Sequence, residues 1–224
     1  MDILNIDGKA IELFPSRKPG VPLVLLNGEA GEGRAVVDIA RTLTEADFAL
    51  AAVSGLRWND ELTPWPAPPI ARRREPSAGQ ADEYIGLLTG QIVPAILAEL
   101  PEKPAYIAIT GYSLAGLFAL YALYRTDAFA RAASVSGSLW YPGFVDYART
   151  HAFARRPDRL YLSLGDREGR TRNPIMRPVE ENTRMLAEAY RQAGLRTILE
   201  MNPGGHFNEP DRRTARAIAW MLDD

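Results

Sequence analysis

The sequence predicts an α/β protein, an open and mostly parallel sheet with helices on both faces. Three observations carry that reading. Short apolar runs alternate with segments of helical spacing from residue 21 onward. The apolar runs are continuous rather than alternating, as strands buried on both faces require. One helical segment, Leu114 to Arg125, is almost wholly apolar, so it belongs deep in the protein.

Taken in order, Ile11 to Phe14 reads as a short first strand and Val21 to Leu26 as a buried parallel one. A glycine-rich loop follows, Asn27-Gly28-Glu29-Ala30-Gly31-Glu32-Gly33. Arg34 to Ala46 has helical spacing through Val37, Ala40 and Leu43, and Phe48 to Val53 is the next strand. Residues 57–79 hold Pro64, Pro66, Pro68, Pro69 and Pro76, which predicts a long irregular loop. Asp82 to Leu100 reads as a long helix with a kink at Pro94, and Tyr106 to Thr110 as a strand feeding the apolar helix. Ala132 to Val135 and Leu160 to Leu164 are strands; Glu180 to Ala193 is a helix closed by Gly194. Thr197 to Met201 is the last strand and Asp211 to Met221 the last helix, with Asp211 as its N-cap.

Composition bounds the function. With 224 residues, one domain spanning 1–224 is expected. Lys+Arg is 26 against Asp+Glu 28, so there is no electrostatic case for nucleic acid. Cysteine is absent, which excludes disulfides, cysteine-ligated metals and thiol catalysis. That fits a reducing compartment, and the N-terminus shows no basic-then-apolar leader, so a cytoplasmic location is expected. Pro104 to Tyr124 carries no charge, yet a Gly-Tyr-Ser turn splits it, so no membrane span is expected.

The chemistry centres on Gly111-Tyr112-Ser113-Leu114-Ala115-Gly116, between a strand and the apolar helix. A serine on a tight strand-to-helix turn is presented at the end of the sheet beside a helix N-terminus. Small residues two before and two after it avoid collision, which Gly111 and Ala115 satisfy. The bland alternative is an ordinary β–α turn with a serine cap. A serine nucleophile needs a base, and on such folds the order is serine, acid, histidine. Of two histidines, His206 lies on the glycine-containing loop after the last strand, whereas no strand delivers His151. The acid should follow the preceding strand; Glu168, three beyond Gly165, is the first choice and Asp166 the second. Both could instead be loop carboxylates paired to nearby arginines. The oxyanion donors expected are the N–H groups of Leu114 and, from the glycine-rich loop, Glu29. Its glycines fit no phosphate-binding pattern, and no metal or organic cofactor is implied.

These residues resemble the bacterial esterase branch of the α/β-hydrolases that includes esterase D, feruloyl esterases, ferric-siderophore esterases and mycolyltransferases. Leu25-Leu26-Asn27-Gly28 stands where the family has a strand ending in a polar residue and glycine. Gly111 to Gly116 stands for Gly-His-Ser-x-Gly-Gly, and Ser136-Gly137-Ser138-Leu139-Trp140-Tyr141 is similar to the Ser-Pro-Ser-Leu-Trp-Trp of siderophore-esterase-like members. Gly165 to Glu168 matches the stretch bearing the family acid, favouring Glu168, and Gly204-Gly205-His206 the histidine loop. Tyr112 in place of the family histidine is expected to affect no triad member, and Ala115 in place of glycine to be tolerated. The resemblance implies a serine hydrolase of small-molecule carboxylic esters with a Ser113–His206–Glu168 triad. Acyl transfer, thioester hydrolysis and a catalytically silent binding fold are the alternatives. Trp58 and Trp140 are candidates for a substrate pocket, although Trp140 could equally cap the core. The run Arg72-Arg73-Arg74 either attracts an anionic ester or is a solvated face.

Overall fold

Alternation along the central strands separates two apolar layers. Leu23 and Leu25 face one core with Ile109, while Val24 and Leu26 face the other with Ala108. Both faces must therefore be covered, and they are. The computed structural model describes residues 3–72 and 74–223.

Eight strands form one sheet: β1 (Ile3–Ile6), β2 (Lys9–Phe14), β3 (Leu23–Asn27), β4 (Ala49–Ser54), β5 (Ile107–Tyr112), β6 (Arg131–Val135), β7 (Arg159–Gly165) and β8 (Arg196–Asn202). Their order is β1-β2-β4-β3-β5-β6-β7-β8. From β4 to β8 every neighbouring pair is parallel; β1 and β2 are antiparallel additions. The architecture is the α/β-hydrolase fold. The hairpin β1–β2 extends beyond the single short strand that the sequence suggests. Its turn is Asp7-Gly8, with φ of 48° and 75°, the left-handed pair that a two-residue hairpin turn demands.

Helices α1 (Glu32–Leu43) and α8 (Pro210–Leu222) cover one face through Val36, Val37, Ala40, Ile218 and Met221. The other face is covered by a long helical stretch and by α5 (Leu114–Arg125), α6 (Phe144–Thr150) and α7 (Val179–Gln192). As expected, Leu114 through Tyr124 of α5 are all buried. A short helix α2 (Trp58–Glu61) stands in the proline-rich loop, where Ala67 and Ser77 also form an isolated bridge. The expected long helix is α3 (Ala81–Leu87) and α4 (Val93–Glu99), joined by a π turn over Leu88–Ile92. Pro94 has no N–H to donate and its ring crowds the carbonyl four residues back, so the widened turn precedes it. Helix α7 ends as expected: Gly194 at φ 73° lets Leu195 N–H reach Tyr190 O and its own N–H reach Arg191 O. Asp211 is not the cap of α8. Pro210 takes the first helical position, suited by its fixed φ, and Glu209 precedes it with no side-chain cap bond.

Candidate active site

Serine 113 joins β5 to α5 with φ 60° and ψ −120°, a backbone region costly for any residue with a side chain. The turn closes because residue 111 is glycine: a Cβ there would overlap the Ala115 methyl. Only one of the two positions must lack a side chain, so Ala115 fits. Gly116 then lets α5 approach the turn after β6, where an added Cβ would lie 3.1 Å from Gly137 Cα.

Three strand ends converge on this serine. His206, on the loop after β8, places Nε2 3.0 Å from Ser113 Oγ. Glu168, in a 3₁₀ turn (Glu168–Arg170) after β7, places Oε2 2.7 Å from His206 Nδ1. The Glu168 side chain is 5% exposed and that of His206 24%. Glu168 Oε1 accepts the Gly165 N–H at 2.6 Å and lies 3.4 Å from Arg213 Nη1. Asp166 is not beside the imidazole. Its Oδ1 accepts the Gly204 N–H at 2.8 Å, so it shapes the histidine loop instead.

Arg213, Ser138 and Tyr112 complete the site without having been singled out for it. Arg213, on α8, is buried. Its Nη1 donates to Tyr112 Oη, Ser136 Oγ and Glu168 Oε1, and its Nη2 to Pro203 O at 2.9 Å. One guanidinium thus ties the acid, the nucleophile strand and the histidine loop. Arg213 shares a buried stripe with Ala217 and Met221, and a charge at that spacing is the signal that could have revealed it. The Ser138 hydroxyl lies 3.3 Å from Ser113 Oγ. Tyr112 corrects an expectation. Its hydroxyl donates to the His206 carbonyl at 2.6 Å, so the residue replacing the family histidine does touch the candidate base, through backbone. Burial raises the phenol above its ordinary value, which keeps it a neutral donor.

The Leu114 N–H opens α5 next to Ser113. The Glu29 N–H, the other expected oxyanion donor, is given at 2.9 Å to Glu32 Oε2. Burial raises the Glu32 carboxyl above its ordinary range; the Glu29 N–H opposes that, and Asp211 adds to it. Trp140 lines a cavity of about 320 Å³ beside His206, with Gly137 and Val179. Trp58 does not line that cavity; it starts α2 and packs on the core, because the loop folds its ring inward. Nor do Arg72 and Arg74, which are exposed, while Arg73 lies outside the described residues. Trp65 is structural: its indole donates to Pro142 O and its ring packs on Tyr121, Tyr141 and Tyr147. His151 stacks on Tyr147 at the end of α6, in a separate surface cavity with Arg149 and Arg156. Among the described residues no three His, Asp or Glu side chains gather as metal ligands, and no helix is long and apolar enough to cross a membrane.

Comparison with known proteins agrees with this arrangement of the fold. The siderophore hydrolase EstA from Aspergillus nidulans superposes with TM-score 0.73 at 18% identity, covering 98% of this chain and 92% of that one. An IroE-like serine hydrolase from Shewanella oneidensis does so with TM-score 0.78 at 14% identity, covering 99% and 79%. At such identities the likeness is one of fold. In sequence, the uncharacterized protein YbbA of Bacillus subtilis is 28% identical over 170 residues, 72% of this chain and 68% of that one. A family model described as "Putative esterase" matches residues 27–209, from the end of β3 to the loop past His206. That match spans most of the chain, and the chain therefore belongs to this esterase family, hydrolases of carboxylic esters.

Proposed function

We propose that the protein hydrolyses small-molecule carboxylic esters through an acyl intermediate on Ser113, with His206 as general base and Glu168 as the acid that orients it. The observation that carries this reading is the unbroken relay from Ser113 Oγ to His206 Nε2 to Glu168 Oε2, at 3.0 and 2.7 Å. Ser113 Oγ attacks the carbonyl carbon as His206 takes its proton. The oxyanion is held by the Leu114 N–H and by the Glu29 N–H, where the substrate oxygen replaces the Glu32 carboxylate. The tetrahedral centre collapses, the C–O bond to the alcohol breaks, and His206 returns the proton to the leaving oxygen. Water, activated by the same imidazole, then cleaves the acyl–serine bond and frees the acid. Residues 1–224 act in this as one domain without a cofactor. The absence of cysteine supports a reducing compartment such as the cytoplasm as its setting.

An active-site-directed fluorophosphonate tests the reading. It should label the protein at Ser113, and Ser113→Ala should lose the label and, typically, on the order of 10⁴–10⁶ in turnover. A folded Ser113→Ala variant that hydrolyses esters at the parental rate would refute it.

A further inference from the structure

The cavity beside His206 has a mixed lining: apolar Trp140, Met176, Val179 and Phe207, and basic Arg167 and Arg170. Phe207 is 91% exposed, a large apolar ring left in water 5.1 Å from the His206 ring. Arg167 caps the 3₁₀ turn that carries Glu168, and Arg170 closes it, its N–H donating to Arg167 O at 3.1 Å. In a 3₁₀ turn residues three apart lie above one another, and both arginines line the cavity.

The carboxylates around them are engaged or stand off: Glu180 and Glu181 line a neighbouring surface hollow with Arg170 and Arg177, and Glu180 pairs with Arg184 at 2.9 Å. Both Glu168 oxygens are committed, to His206 and to Gly165 with Arg213. Asp166 is 4.0 Å from Arg167 Nε, at the limit of an ion pair, and accepts the Gly204 N–H. Among the described residues Arg170 has no carboxylate within ion-pair distance. Arg172 and Arg177, in the segment that follows, add exposed positive charge. Arg167 and Arg170 thus present two charged donors at the mouth of the site, where a carboxylate can accept from both.

The cavity also has a side. It is lined by His206 and Glu168 but not by Ser113, Leu114 or Glu29. The histidine must hand its proton to the departing oxygen, so the group that fills the space against it is the alcohol portion of the ester.

We propose that this cavity is a leaving-group site for an alcohol with a compact apolar body and a carboxylate, the carboxylate held by Arg167 and Arg170. The inference rests on the serine-hydrolase reading above and deepens it. In the acylation step the Ser113 Oγ–carbon bond forms and the carbon–oxygen bond to the alcohol breaks. The proton taken from Ser113 passes through His206 to that oxygen, so the product leaving this cavity is a hydroxy acid, with its carboxylate unchanged. About 320 Å³ is at the small end of ligand sites, which suits a single ring or a short branched chain.

Two acetate esters of nearly the same shape, one anionic and one neutral, test it: 4-acetoxyphenylacetic acid and its primary amide. Charge-assisted hydrogen bonds to a carboxylate correspond to roughly a 10- to 100-fold preference in kcat/KM for the acid. That preference should shrink as salt rises. In Arg170→Gln, and more so in Arg167→Gln/Arg170→Gln, the ratio of the two rates should fall toward one, mainly through KM of the acid. Equal rates for the two esters in the parent protein, or a preference that survives in the double variant, would overturn the proposal. A preference that instead follows a carboxylate placed on the acyl side, measured with the phenyl half-ester of succinic acid, would overturn its leaving-group assignment. Fluorophosphonate labelling of Ser113 in each variant keeps this separate from the catalytic reading: labelled protein without the charge preference sinks only this proposal, and unlabelled parent protein sinks both.

Discussion

Replacing Arg213 by methionine keeps the bulk of a buried side chain and removes its charge and donors. The structure fixes what is lost. Tyr112 Oη, Ser136 Oγ and Pro203 O each lose a donor, and Glu168 loses the cation 3.4 Å from its Oε1. Both charged side chains are nearly sealed, at 2% and 5% exposure. Breaking one side of a buried ion pair typically costs ~3–5 kcal/mol. Glu168 retains the Gly165 N–H and His206, which places the expected loss at the lower end, about 3 kcal/mol. For a chain of this size that lowers Tm by roughly 6–12 °C. Urea unfolding of Arg213→Met, Glu168→Gln and the double variant measures it. The single changes should not add, because in the double variant neither charge is left buried alone. A cost below about 1 kcal/mol, or an additive cycle, would refute the reading of Arg213 as the partner that holds the acid.

Glycine at position 113 relieves the strained φ and ψ that alanine retains, so Ser113→Gly should be about 1 kcal/mol more stable to urea than Ser113→Ala, with both inactive; equal midpoints would mean that the turn stores no strain. Glu168→Gln should lower kcat by on the order of 10²–10⁴ by favouring the wrong imidazole tautomer. Asp166→Asn, which keeps an acceptor for the Gly204 N–H, should do much less, and the reverse order would hand the role of the acid to Asp166. Glu61 gives a stability test against pH. Burial pushes its carboxyl up, but the Arg57 N–H and the buried Lys9 ammonium outweigh that, so it titrates below its ordinary value. A depressed folded value means stability present above the unfolded value and lost as pH falls through the folded one. Glu61→Gln should therefore be less stable at pH 7, with the gap narrowing in acid; a gap constant across the range would count against the pair.

Where one physical requirement dominates, the sequence was legible. Strands β3 to β7 are largely apolar on both faces because helices cover both, and α5 is apolar because its residues from Leu114 to Tyr124 are buried. The grouping of Ser113, His206 and Glu168 was legible for a different reason: each follows a strand end, and parallel strands deliver their C-terminal ends to one edge of the sheet. The strand β1 was overlooked although Asp7-Gly8 carries its turn, because its exposed half alternates weakly. Arg213 was overlooked because a charged residue on a helix is ordinarily solvated; only packing shows that four acceptors from three loops and a strand surround it. Trp58 went the other way, an aromatic near the catalytic edge by position that stands half-buried against the core at the start of α2.

The glycine-rich loop joins these two kinds of knowledge. Position along the chain points to the Glu29 N–H as an oxyanion donor, and the structure finds that N–H holding a carboxylate oxygen. The two facts are compatible. A carboxylate oxygen is itself an anion, so Glu32 marks the N–H as a site where negative charge is received. The bond is local, from the first residue of α1 back across three residues, and it closes reciprocally with the Glu32 N–H to Glu29 O at 3.3 Å. Glu32 is held there against its own burial and against Asp211, both of which raise its carboxyl. The substrate brings its charge only as the tetrahedral centre forms. On the mechanism proposed above, exchange at the Glu29 N–H accompanies the attack by Ser113, the moment at which an oxyanion donor contributes to rate.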